Sequence, residues 1–205
     1  HSTIMHILSG CHFSLNEGRW NFRHDSILLV FLTNIEFLIN EAKTKKPTSK
    51  RIAFVKSGFT PQKRSLKPAT GLLHKATDWI LLADIGDIKL MFPIHIACTE
   101  ERPDIVIFSN SIKTVILIEN SSGCEENATD NHNIKLGRYT LLCEEIRNNG
   151  WVVHLFPVEV NARGYCSKSV PFCLKALGFS STSVRKIVRS LSETAMKNFI
   201  CHLDS

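Results

Sequence analysis

The chain has 205 residues, 43% of them hydrophobic, enough for one core-forming domain with short appendages. Its 25 Lys and Arg against 19 Asp and Glu give a net charge of +6 and favour an anionic partner, nucleic acid being the common one. No Gly-x-Gly-x-x-Gly, P-loop, Gly-x-Ser-x-Gly or His-Glu-x-x-His motif is present, which argues against nucleotide cofactors, hydrolase elbows and zincin chemistry. The longest purely apolar run, Ile27 to Leu32, is far below a membrane span, so no membrane partner is expected. Seven cysteines without tight pairing point to a reducing, intracellular setting. The chain begins at His1 and not at Met, and is expected to be a piece of a longer one.

In chain order, His6-Ile-Leu-Ser-Gly-Cys11 has the spacing of the second half of a Cys-Cys-His-Cys zinc knuckle. A complete site needs further ligands upstream, so zinc is expected only in a full-length chain. Arg23-His24-Asp25-Ser26 opens a helix that Asp25 or Ser26 can cap. Leu28, Phe31, Leu32, Ile35, Leu38, Ile39 and Ala42 recur on its apolar face with a helical period. Lys43 to Lys75 holds ten basic residues and no acidic one, a stretch able to track a phosphate backbone.

Strands are expected at Arg51–Ser57, Asp78–Ala83 and Ile88–Phe92, the last two joined by a turn at Asp84–Asp87. Two further apolar runs, Ile105–Phe108 and Thr114–Ile118, flank Ser109-Asn110-Ser111 and read as a β-hairpin. Ser121–Asn131 is polar and loop-like. His132–Asn148 reads as a helix stopped by Asn149-Gly150, Trp151–Val160 as a strand, and Ser169–Leu177 and Ser183–Leu203 as closing helices. The spacing of Val184, Ile187, Val188, Leu191, Ala195, Phe199 and Leu203 gives the last helix its apolar stripe. The expected fold is α/β, a mixed sheet flanked by helices.

The hairpin carries the chemistry. Asp104 precedes its first strand and Glu119 ends its second, with 14 residues between them. An antiparallel hairpin therefore sets the two carboxylates side by side at one sheet edge. Paired carboxylates suit a hard divalent cation, Mg²⁺ or Mn²⁺. A metal held there can activate water against a phosphodiester.

The order of these segments resembles the restriction-endonuclease-like (Pro-Asp…Asp/Glu-x-Lys) superfamily. Within it, Arg23-His24-Asp25, Arg102-Pro103-Asp104, Val115-Ile-Leu-Ile-Glu119, Lys135-x-x-Arg138-Tyr139 and Pro157-Val-Glu-Val160 with Arg163-Gly164-Tyr165 look like the C-terminal endonuclease region of non-LTR retrotransposons. The likeness is nearest to the retroelement-derived tails of aquatic invertebrates, where a zinc knuckle precedes the nuclease core. The resemblance implies residues 1–22 as a zinc-knuckle or linker remnant, 23–165 as a restriction-endonuclease-like core and 166–205 as a helical extension.

The resemblance further implies Mg²⁺-dependent DNA cleavage, a fused upstream reverse-transcriptase region and a nuclear setting. Asp104 and Glu119 would hold the metal, and Lys135 would position the attacking water. Arg23, His24, Arg102 and Arg138 are the expected DNA contacts. Tyr139 is expected in the core, and Glu36 or Glu41 could add an acid.

The chain departs from that pattern at three points. The position two residues after Glu119, usually lysine, is Ser121. Arg138 stands where the retroelement pattern has its second lysine; an arginine keeps the charge but does not act as a base. Asn120-Ser-Ser-Gly-Cys-Glu125 replaces an apolar run. These departures support an alternative, a catalytically degenerate, DNA-binding remnant.

Overall fold

The computed structural model describes residues 19–44, 71–86, 91–121, 136–161 and 163–200. Helix α1 spans Arg19–Thr44, and a single 3₁₀ turn covers Leu72–His74. Strands β1 (Ile80–Ala83), β2 (Ile105–Ser109) and β3 (Thr114–Ser121) follow. After them come α2 (Thr140–Asn148), β4 (Val152–Glu159), α3 (Ser169–Leu177) and α4 (Ser181–Ile200). The fold is α/β, with a four-stranded mixed sheet in the order β1-β2-β3-β4. The first three strands are antiparallel neighbours, while β3 and β4 run parallel, as a strand pair linked through a helix does.

The hairpin forms with the register the sequence implies: Ile105 pairs with Ile118 and Ser109 with Thr114. Its turn places Lys113 at φ 44°, the one non-glycine residue with positive φ among those described. Asp78 clamps the turn by accepting the Ser109 and Ser111 hydroxyls, each at 2.6 Å, and the Ser111 N–H at 2.9 Å. Those bonds, the Ser109 hydroxyl first, hold the Asp78 carboxyl well below the usual carboxylate range.

Both faces of the sheet are covered, which is why β2 and β3 read as continuous apolar runs and not as alternating ones. Ile105, Ile107, Ile116 and Ile118 pack in one cluster with Ile27, Phe31 and Ile35 of α1, Leu174 of α3 and Leu191 of α4. Val106, Phe108, Val115 and Leu117 face the other way, against Tyr139, Leu142 and Ile146 beside Phe92, Ile96 and Trp151. Full burial of each such Ile or Leu contributes about 1.5–3 kcal/mol. The C-terminal helices α3 and α4 thus share a core with the sheet.

Gly178 ends α3 at φ 119°, and its N–H returns to the Leu174 carbonyl at 3.2 Å. Gly71 lies back to back with it: a Cβ on Gly71 would stand 2.0 Å from the Gly178 Cα. This close approach seats the 3₁₀ turn on the end of α3.

Several expected boundaries move. Helix α1 begins at Arg19, so neither Asp25 nor Ser26 is its cap; the Ser26 hydroxyl bonds the Phe22 carbonyl within the helix. The Asp25 side chain instead accepts the Gly86 N–H and bonds the neighbouring His24 ring. In the expected strand Ile88–Phe92, Met91 and Phe92 lie outside any strand and residues 88–90 lie outside the described residues. The expected strand at 51–57 lies outside them, as do residues 122–131 of the expected Ser121–Asn131 loop, whereas Ser121 itself ends β3. Of the expected helix of 132–148, residues 132–135 lie outside the described residues, the described part is interrupted at Tyr139, and α2 proper begins at Thr140. Among the described residues, no helix is long and apolar enough to cross a membrane.

Candidate active site at the open end of the hairpin

Asp104 immediately precedes β2, and Glu119 sits in β3 one step beyond the Ile105–Ile118 pair. The two residues therefore face each other across the hairpin. The Asp104 N–H donates to Glu119 Oε2 at 3.1 Å. The same Glu119 oxygen receives the Tyr139 hydroxyl at 3.0 Å. On the Asp104 side, Oδ2 accepts the Asn120 N–H at 2.6 Å and faces His24 Nε2 at 3.2 Å. In each carboxylate two protein groups converge on one oxygen. Glu119 is buried, and the Asp104 side chain is 14% exposed.

Each partner arrives from a different element. The parity of β3 puts Glu119 on the α2 side of the sheet, with Val115 and Leu117. Tyr139 is fully buried there, at the break before α2, and its hydroxyl lies 3.3 Å from the Arg102 carbonyl as well. Burial first, and then the Glu119 charge, push the Tyr139 phenol well above its ordinary range, so the hydroxyl keeps its proton and donates. Tyr139 is thus a core residue, as its apolar surroundings required, and also a contact of the site.

His24 comes from α1 and is 80 residues from Asp104 in sequence. Its other ring nitrogen, Nδ1, lies 3.3 Å from Asp25 Oδ1. Asp25 Oδ2 in turn accepts the Gly86 N–H at 3.0 Å, just past β1. Burial pulls the His24 pKa down, but the bond to Asp104 and its charge, then Asp25, outweigh burial and leave it raised. The imidazolium is the form that donates to both carboxylates.

The expected DNA contacts fall in different places. Arg23 is buried. Arg102 is 42% exposed and pairs with Asp84 through its Nε, at 3.0 Å, and Nη2. Arg138 is 51% exposed, bonds Glu101 at 2.9 Å and stacks its guanidinium 5.3 Å from the Tyr139 ring centroid. Arg102 and Arg138 therefore flank the carboxylates with partly open cationic groups, while His24 is packed against Asp104. Glu36 is exposed on α1. Glu41, also on α1, lines a separate crevice of about 370 Å³ with Phe37, His74 and Lys186. Lys135, His6 and Cys11 lie outside the described residues.

Ser121 ends β3 and pairs with Glu159 of β4. The buried Glu159 carboxylate accepts the Ser167 and Ser169 hydroxyls, each at 2.5 Å, which ties β4 to the start of α3. Sequence reasoning did not reach Glu159 or the His24–Asp104 contact. For His24 the available signal was its adjacency to Asp25 in the Arg-His-Asp motif.

Among the described residues, no group of three His, Cys, Asp or Glu side chains is arranged to hold a metal ion. Mg²⁺ does not need three: it is commonly bound through one or two carboxylates, with waters and substrate phosphates completing its shell. Asp104 and Glu119 are two such carboxylates at one hairpin end. The chain matches no protein-family model, and no curated protein matches it.

Proposed function

We propose that this chain is a metal-dependent DNA endonuclease domain of the restriction-endonuclease-like type, nicking target DNA by phosphodiester hydrolysis as part of a retroelement polyprotein. The observation that carries the reading is the Asp104–Glu119 pair, joined across one hairpin end and held by the Asp104 N–H at 3.1 Å. These two carboxylates would hold Mg²⁺ or Mn²⁺. A cation bound there lowers the pKa of a water and offsets charge on the scissile phosphate.

The chain's own residues supply the rest. Tyr139 fixes the Glu119 carboxylate. Arg102 and Arg138 present charge toward a phosphate backbone, Arg138 already braced on Tyr139 and Glu101. By the resemblance, Lys135 positions the attacking water. An upstream reverse-transcriptase region, a zinc knuckle completed around His6 and Cys11 and a nuclear location belong to the same reading.

A second reading, a DNA-binding remnant without catalysis, draws on Ser121. That side chain brings no charge to the position where the superfamily carries its lysine. The two readings separate in one assay: nicking of supercoiled plasmid with Mg²⁺ or Mn²⁺, wild type beside Asp104→Ala. The endonuclease reading expects nicking by wild type alone. Equal nicking by the variant would remove Asp104 from the chemistry. Salt-sensitive DNA binding without nicking selects the remnant.

A further inference from the structure

Nothing in the hydrolysis reading requires a histidine, yet one is built into the site. His24 reaches Asp104 Oδ2 at 3.2 Å, with a side chain only 12% exposed. Asp25 holds its far nitrogen at 3.3 Å, and the Gly86 N–H holds Asp25 at 3.0 Å. A chain of contacts thus runs from the turn after β1, through α1, to the Asp104 carboxylate. The opposite anchor, the Asn120 N–H, meets the same oxygen from β3 at 2.6 Å.

A carboxylate has two oxygens and one freely turning terminal torsion. Two donors on Oδ2, arriving from α1 and β3, fix that torsion. They leave Oδ1 as the oxygen turned away from both; among the described residues, none donates a hydrogen bond to it. An isolated Asp would sample both faces of its carboxyl group, and a cation would bear the cost of ordering it.

We propose that His24 is a positioning residue: held by Asp25, it occupies Asp104 Oδ2 and so presents Oδ1 as the oxygen that ligates the divalent cation. The inference rests on the reading of Asp104 and Glu119 as a cation site. It assigns His24 and Asp25 to carboxylate orientation and not to DNA contact. Asp25 acts one step further out, since it touches His24 and Gly86 and has no described bond to Asp104. Supporting groups of this kind commonly change metal affinity by 10- to 100-fold when removed.

The test is Mn²⁺ binding by calorimetry, with circular dichroism verifying that each variant is folded. The variants are His24→Leu, His24→Gln, Asp25→Asn and Asp104→Asn. The proposal expects His24→Leu to weaken Mn²⁺ binding by about 10- to 100-fold. His24→Gln, which restores an N–H donor, should recover part of that loss, and Asp25→Asn should weaken binding less than His24→Leu. Electron spin-echo spectroscopy of bound Mn²⁺ should show no directly coordinated nitrogen. If His24→Leu binds Mn²⁺ as wild type does while Asp104→Asn does not, the positioning role falls and the cation site stands. A directly coordinated nitrogen in wild type, absent from His24→Gln, would make the imidazole a ligand and overturn the positioning role. No Mn²⁺ binding by folded wild type overturns the cation-site reading itself, and this inference with it.

Discussion

Tyr139 donates its hydroxyl to Glu119 Oε2 across 3.0 Å, inside a core where both residues are buried. The contact joins the helical layer of α2 to the end of β3, so the carboxylate proposed to act on DNA is held by the same residue that packs the core. A buried carboxylate is tolerated only with such donors.

Tyr139→Phe keeps the ring and removes the donor. Because hydrogen bonds to charged groups contribute about 1.5–3 kcal/mol, the variant should lose about that much stability. Urea unfolding read by tryptophan fluorescence measures it; an unchanged midpoint would mean that solvent replaces the lost donor.

Gly71→Ala should be costly, because Gly71 is buried. Its Cβ would stand 2.0 Å from the Gly178 Cα and 2.5 Å from the Leu177 carbonyl oxygen, both backbone atoms that cannot swing aside. An overpacking cost of about 1–3 kcal/mol or more is expected, lowering Tm by about 2–4 °C per kcal/mol at this chain length. Gly150→Ala is the comparison. It has positive φ (79°) and no atom within 4 Å of a Cβ, so only backbone strain of about 1–2 kcal/mol applies.

The Asp78 clamp predicts a pH dependence. Its pKa is lowered in the folded state, so its stabilisation is full above the unfolded value of about 3.9 and is lost as pH falls through the folded value. Thermal melts of wild type and Asp78→Asn should differ most near neutral pH and converge in acid below about pH 4. A gap that widens on acidification contradicts the clamp.

Arg138→Ala tests the cationic rim. If Arg138 meets a phosphate, the variant should weaken binding uniformly across DNA sequences. It should also reduce the slope of log affinity against log salt by about 1. Fluorescence anisotropy at several salt concentrations gives the slope; the same slope in both proteins would place Arg138 away from the backbone.

Much of this was legible from residue pattern alone. The apolar runs on either side of Ser109-Asn110-Ser111 determined a hairpin, and an antiparallel register with period two then had to bring Asp104 opposite Glu119. The apolar stripes of α1 and, from Val184 to Ala195, of α4 likewise identified the faces that reach the core, because a helical period of 3.6 permits no other side; Phe199 and Leu203 of the expected stripe lie outside the residues whose side chains are described. Tertiary structure alone decided what surrounds the carboxylates. His24 meets Asp104 across 80 residues, and Tyr139 meets Glu119 across 20, over helix–sheet contacts that no local period encodes. Asp25 looked like a helix cap because capping is a local preference. It became a tertiary anchor because α1 extends six residues upstream to Arg19, which leaves its carboxylate to His24 and Gly86.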